Sequence, residues 1–417
     1  MRHSIYCLAT DLLDEGAGQV LDNVQGRGGV NGVTVAVRYH AAADLYPHNP
    51  RRKVATVPPG SYYRATATAG SPLAPGLSPL AAGRDVLAET CEAAAARGLE
   101  VAAWAVLLHA DQAGPDHPGV QLNCWGDPLA GALCPASPEV RDHVRAVVTE
   151  LSAYPITTVR AESLHYHGFR HGHHHERLLD GYGPLTLWLL GICFCAHCLA
   201  AAGERGVDGH RVAQRVRGWV AGSLEAYRPE PEPSLAAAAQ AGGDDLLAYL
   251  RAQAEVVTSL VAAASEAAGG NGTTLSFIDP SVSAVSYQDG TMSGPPGAER
   301  GWQAGIDAGS IARAGAVIEV CAYLSDLERF GQELAAYRAA VPAPGSLSVV
   351  VRPGRPDVTG PAEMAAKARA AAAAGCGELN FYGYGLYRLD ALDLVRRAVE
   401  ASASPAGSPG PRPARKD

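Results

Sequence analysis

The chain has 417 residues, 47% of them hydrophobic and nine of them cysteine, with 34 Lys and Arg against 42 Asp and Glu for a formal charge of −8. This is ample apolar material for one large or two medium domains, and the acidic balance excludes the basic field that nucleic acid or an anionic membrane would require. The start, "MRHSIYCLATDLLDEG", lacks the apolar run and cleavage site of a secretory signal, and no later apolar run reaches the roughly 18 residues of a bilayer crossing. A cytoplasmic protein with reduced cysteines is therefore expected, and the Ala- and Gly-rich, Lys-poor helices fit a high-GC bacterial genome.

In chain order, eight apolar stretches ending in polar residues predict strands: "SIYCLATD" (4–11), "VTVAVRYH" (33–40), "LEVAAWAVLLH" (99–109), "ITTVRAES" (156–163), "TTLSFID" (273–279), "AVIEVCAY" (316–323), "SLSVVVR" (346–352) and "ELNFYGY" (378–384). Helical stretches lie between them, such as "SPLAAGRDVLAETCEAAAARG" and "TGPAEMAAKARAAAAAG", opened by a small or hydroxyl residue and closed by Gly. Alternating strands and helices imply parallel pairing, so the expected fold is α/β, a (β/α)8 TIM barrel. An open doubly wound sheet is the alternative, lowered by the lack of a Gly-x-Gly-x-x-Gly turn after the first strand. One barrel domain is expected over residues 1–402. A bare barrel takes about 250 residues, which places the excess in long insertions after strands 2 and 4 (about 41–75 and 164–270), both at the carboxyl face. Residues 403–417, rich in Pro, Ser and Gly, are expected to form a disordered tail.

In a barrel, substrate sites are built at the carboxyl ends of the strands. Those ends offer Asp11, Arg38, His40, His109, Asp111, Glu162, His165, Asp279, Arg352, Tyr382 and Tyr384, and the sixth strand carries Glu319 with Tyr323 beyond it. Any one of these is equally read as a strand-end cap or half of a structural ion pair. Glu162, after "YPITTVRA", is the leading acid–base candidate, because a partly desolvated carboxyl rises in pKa toward that duty. Glu319, inside an apolar strand, belongs either to a site or to a buried pair with Arg352 as its candidate partner. Asp279, before Pro280, is either a second catalytic carboxylate or a loop cap. The run "HYHGFRHGHHHER" (165–177), which contains His165 and His167, suits contact with a polyhydroxylated substrate, a divalent ion or plain solvation. Trp104, Trp125, Tyr62 and Tyr63 are candidate stacking platforms for a sugar face, with core packing as the bland reading.

The stretch "CFCAHC" puts Cys193, Cys195 and Cys198 in six residues, too close for three independent core thiols. With Cys134 of "LCPASP" they would supply four thiolates to a closed tetrahedral zinc site at about 2.3 Å per bond; buried reduced thiols are the other reading. These segments, "ALCPASPEVRDHVRAVVTELSAYPITTVRAES" followed by "CFCAHC", resemble the zinc-containing β-galactosidases of glycoside hydrolase clan A and the loosely defined bacterial "putative glycosyl hydrolase" barrels. The resemblance covers roughly residues 120–200. It implies Glu162 as acid/base and Cys134, Cys193, Cys195 and Cys198 as structural zinc ligands. The sequence departs from that pattern twice: Ala161 stands where Asn precedes the acid/base, and Arg352 ends the strand that should deliver the nucleophilic Glu.

The functional expectation is a glycoside hydrolase-like enzyme cleaving a small glycoside, with Glu162 as acid and Glu319 or Asp279 as second carboxylate at about 5 Å for retention or about 6.5–9.5 Å for inversion. The alternatives are an isomerase, lyase or aldolase on a sugar-like substrate using the histidines, or a non-catalytic carbohydrate-binding relative. The expected partner is a small carbohydrate, with no nucleic acid and no membrane; a homo-oligomer is left open.

Overall fold

A computed structural model describes residues 1–170 and 181–403. The histidines at 171 and 173–175, and all of the expected tail except Ala403, lie outside the described residues.

Eight parallel strands close on themselves: β1 (Arg2–Cys7), β2 (Gly32–Tyr39), β3 (Glu100–Val106), β4 (Thr158–Glu162), β5 (Thr274–Asp279), β6 (Val317–Cys321), β7 (Leu347–Val351) and β8 (Glu378–Phe381). Closure is made by β1, which pairs with β8 from Arg2↔Glu378 to Ile5↔Phe381 and with β2 from Ser4↔Gly32 to Cys7↔Val35. The last α-helix before each following strand, and the helix after β8, are α1 (Ala17–Asn23), α2 (Val86–Ala95), α3 (Pro138–Ser152), α4 (Leu235–Gly269), α5 (Ala308–Arg313), α6 (Leu327–Ala340), α7 (Pro361–Ala373) and α8 (Ala391–Ala403). The fold is a (β/α)8 barrel, and the open-sheet alternative is excluded.

Side chains alternate across each strand, and this decides what each residue can do. Val33, Val35 and Val37 of β2 and Val349 and Val351 of β7 face the helices and build the outer core. Inside the ring are two layers of different character. The lower one is polar and holds Ser4, Thr34, Arg160, Ser276, Glu319, Glu378 and Asn380 in one hydrogen-bonded set. Above it, Tyr6, Ala36, Trp104, Ile278, Cys321 and Val350 pack into a second buried cluster that floors the carboxyl-face opening.

Asp85, Asp307 and Asp326 each accept a backbone N–H in the first turn of α2, α5 and α6, satisfying groups the helix cannot pair itself. The long α4 is apolar enough by composition to cross a membrane, yet half of its apolar window is buried in the protein. It is two helices joined at a kink at Gly243 (φ 73, ψ −174).

Between β2 and α2 the chain forms an antiparallel hairpin, Ala42–Leu45 with Val54–Val57. After β3 a second hairpin, Val120–Leu122 with Pro128–Leu133, returns the chain to Cys134 just before α3. After β4 come helices Pro184–Leu190, Ala196–Gly203 and Gly209–Glu225, ahead of α4.

The first strand is shorter than its sequence pattern. It stops at Cys7, and Ala9–Asp14 is helical.

Candidate active site and thiolate cluster

At the carboxyl face lies a cavity of about 640 Å³ whose lining includes Tyr6, Tyr39, His40, Trp104, Glu162 and His165, together with His167, Tyr166, Tyr287, Tyr323 and Tyr382. Its wall is aromatic. Trp104 meets Tyr39 edge-on at 4.6 Å and Tyr6 at 5.0 Å between centroids, and Tyr382 stands 6.0 Å from Trp104 and stacks at 5.8 Å on Tyr323. Such faces suit the apolar side of a sugar ring.

Glu162 ends β4 and points inward, two residues beyond Arg160. The Trp104 indole N–H donates to its Oε2 at 2.6 Å. Burial pushes its carboxyl above the usual carboxylate range, a rise only partly offset by His40, the Trp104 indole and His109. Among the described residues lining the cavity, Glu162 is the one carboxylate. Ser163, next in the chain, holds φ 59, a conformation uncommon outside glycine; it ends the strand and redirects the chain toward His165.

The imidazoles surround this carboxyl. Centroids of His40 and His109 are 5.3 Å apart, of His109 and His167 6.3 Å, and of His165 and His167 5.0 Å. His165 Nδ1 lies 2.8 Å from the Tyr166 carbonyl oxygen and His40 Nδ1 2.7 Å from that of Ala41. A carbonyl only accepts, so Nδ1 must carry the proton in both rings, which leaves Nε2 an acceptor in the neutral form. Burial holds His165 below the ordinary imidazole value, despite the Tyr166 carbonyl and the nearby Asp279. His109 bonds Asp111 at 2.7 Å; burial opposes ionisation of Asp111, but His109, the Ala41 N–H and His40 outweigh it and hold the carboxyl at about 2.

Seven of the sequence-predicted groups thus line the cavity: Glu162, His40, His165, His167, Tyr323, Tyr382 and, among the proposed stacking platforms, Trp104. Others do not. Glu319 lies in the layer below and is one half of a buried pair, but its partner is Arg160 rather than Arg352. Arg160 Nη1 donates to Glu319 Oε2 at 2.5 Å, and Tyr6, Ser276 and Asn380 also donate to Glu319 at 2.8 Å each. Asp279, at an outward position of β5, accepts from the Ser281 N–H at 2.9 Å beside Tyr337 of α6. Arg352 donates to Asp357 and to the Tyr287 carbonyl, with its guanidinium 4.7 Å from the Tyr323 ring centroid, so it braces the aromatic rim from outside.

Arg38 faces away from the cavity, contacting His143 of α3 and donating to the Leu73 carbonyl of the loop before α2. Asp11 is in the helix after β1, where it accepts the Leu8 N–H at 2.9 Å. Tyr384 points away to Asn23 and Glu15. Of the proposed stacking platforms only Trp104 lines the cavity; Tyr62 and Tyr63 are core residues, and Trp125 lies under Arg217.

Sequence reasoning missed Tyr6, Tyr39, Tyr166 and Tyr287. Tyr6 was findable, since it shares the inward phase of β1 with Ser4. Tyr287 lies in a loop that carries no such signal.

Beside the cavity, Cys134, Cys193, Cys195 and Cys198 are all buried, with their sulfurs within 4.8 Å of one another. Cys134 Sγ is 3.4 Å from Cys198, 3.5 Å from Cys195 and 3.9 Å from Cys193. Thiolates about 2.3 Å from a tetrahedral ion stand about 3.8 Å apart, so the spacing fits a four-coordinate metal. Burial raises the Cys134 and Cys198 thiols, whereas hydrogen bonds from the other three thiols lower Cys195. Four ionised sulfurs here would therefore require a cation. The Phe194 N–H donates to Leu122 O at 2.7 Å, docking this loop on the second hairpin, and Tyr249 and Gln253 of α4 hold the Cys193 carbonyl.

No protein-family model matches the chain, and no curated protein matches it. Solved structures do. The catalytic domain of a beta-amylase from Paenibacillus polymyxa superposes with a TM-score of 0.56 at 12% identity, covering 97% of this chain and 99% of that one. A beta-galactosidase from the psychrophilic Marinomonas ef1 superposes with a TM-score of 0.57 at 13% identity, covering 96% of this chain and 59% of that one. At this level of identity the likeness is one of fold: the chain shares the (β/α)8 barrel architecture of these two structures.

Proposed function

We propose that the chain binds a sugar against the Tyr6, Tyr39, Trp104, Tyr323 and Tyr382 wall and that Glu162 moves a proton at the glycosidic oxygen, as in a glycoside hydrolase. One observation carries the reading: the carboxyl of Glu162 is buried in an aromatic cavity, raised in pKa, and fixed through Oε2 by Trp104. A carboxyl that burial raises keeps its proton to higher pH than an exposed one and can donate it to a leaving alkoxide, and the indole N–H orients it for the transfer. Zinc fits the four-cysteine cluster as a structural ion; with all four positions taken by protein sulfur it would pin the loops around Cys134 and Cys193–Cys198 and do no chemistry.

Hydrolysis through two carboxylates needs a partner at about 5 to 9.5 Å with access to the sugar. Glu319 is fully engaged below the floor and Asp279 faces the outer layer. This favours a second reading, in which Glu162 and the imidazole acceptors transfer protons on a sugar-like substrate without hydrolysis, or the cavity only binds. Incubation with a panel of p-nitrophenyl glycosides and free sugars, followed by NMR, separates the readings. Released nitrophenol with a sugar of defined anomer supports hydrolysis, and isomerised or cleaved free sugar supports the second chemistry. Line broadening of the sugar without product supports binding alone.

A further inference from the structure

Tyr166 touches the cavity and the cysteine cluster at once. Its ring lines the cavity, its hydroxyl lies 3.2 Å from Cys198 Sγ, and its carbonyl holds His165 Nδ1 at 2.8 Å. Its N–H donates to Ala304 O at 3.1 Å. The neighbouring Gly305 (φ +72) makes room for the ring, since a Cβ there would stand 3.0 Å from Tyr166 Cδ2. Tyr166 also follows Glu162 by four residues, beyond the left-handed turn at Ser163.

We propose that Tyr166 is a positioning residue that transmits the state of the thiolate cluster to the sugar cavity. A metal-bound Cys198 thiolate is a stronger acceptor than a thiol, so it draws the Tyr166 hydroxyl and locks the 163–168 segment, and with it the tautomer and aim of His165. Loss of the ion removes that acceptor and frees the segment. The cluster is then a control point as well as a staple. That the consequence falls on a sugar rests on the reading of the cavity above; the coupling itself does not.

The test is hydrogen exchange of the peptide spanning 163–168 in metal-loaded and chelated protein, comparing wild type, Tyr166→Phe and Tyr249→Phe. Tyr249 also touches the cluster, through the Cys193 carbonyl, but does not line the cavity. The expected result is slow exchange in loaded wild type and loaded Tyr249→Phe, and exchange at least about tenfold faster in chelated wild type and in loaded Tyr166→Phe. In cobalt-loaded protein, Tyr166→Phe should retain the thiolate-to-cobalt bands but shift them. Equal exchange in loaded wild type and Tyr166→Phe overturns the proposal, as does a protein that takes up neither zinc nor cobalt. Failure of any sugar to bind would remove the cavity reading and leave these exchange results standing.

Discussion

Arg160 and Glu319, on β4 and β6, meet across the inside of the barrel at 2.5 Å with both side chains almost fully buried. Arg160 also binds Glu378 at 2.7 Å and Thr34 at 3.0 Å, so one guanidinium ties four strands together below the cavity floor. Removing one partner of such a pair leaves an uncompensated buried charge, which costs about 3–5 kcal/mol. Glu319→Gln should therefore lower unfolding free energy by about that much in denaturant titration. Glu162→Gln, which removes a carboxyl that burial disfavours, should be neutral or stabilising.

Purified protein should carry about one zinc per chain by elemental analysis. Cys195→Ser or Cys198→Ser should abolish tight retention. Because the ion binds the folded state, a thousandfold excess over the dissociation constant adds about 4 kcal/mol of stability, and chelation should lower the melting temperature correspondingly. A metal-free protein with an unchanged melting curve would contradict the cluster's assignment.

Asp11 gives a pH signature unrelated to catalysis. Burial raises its carboxyl from 3.8 to about 7 in the folded protein, with the Leu8 N–H and His48 pulling the other way. Between those values the folded state binds the proton more tightly than the unfolded chain, so stability from this group is full below about pH 4 and is lost as pH rises through about 7. Asp11→Asn should thus gain stability over wild type as pH is raised from 4 to 8, measured by denaturant midpoints across that range.

Trp104→Phe keeps an aromatic wall but removes the indole donor to Glu162. Since that bond favours the carboxylate, its loss should raise the Glu162 pKa further. The expected readout is an upward shift of the Glu162 carboxyl titration by carbon NMR, and an alkaline limb of any pH–rate profile displaced in the same direction.

The barrel was legible because alternating apolar strands and Ala-rich helices leave few other arrangements, and the placement of Glu162 at the cavity because the chain around it is apolar and its strand ends there. What stayed hidden was the phase of each strand. Asp279 sits at a strand end as expected but on the helix-facing phase of β5, Arg38 is turned outward by the irregularity between Ala36 and Arg38 in β2, and Arg352 lies one residue beyond β7, where it turns to Asp357; residue type alone reveals none of this. Glu319 was correctly suspect as a buried charge. Its partner Arg160 lies in the same "VRAES" segment as Glu162, two residues earlier, where alternation puts both on the inner face. Asp11 escaped because an apolar run continued past Cys7 into a helix without a break in composition.

The most direct measurement of the central claim is turnover of the best glycoside by Glu162→Gln, in protein whose zinc content and sugar affinity match wild type. The account predicts a fall of about 10²–10⁴-fold in kcat, the contribution of a positioned proton donor, with loss of the wild-type alkaline limb. Wild-type turnover in that variant would show that the carboxyl at the end of β4 takes no part in the chemistry.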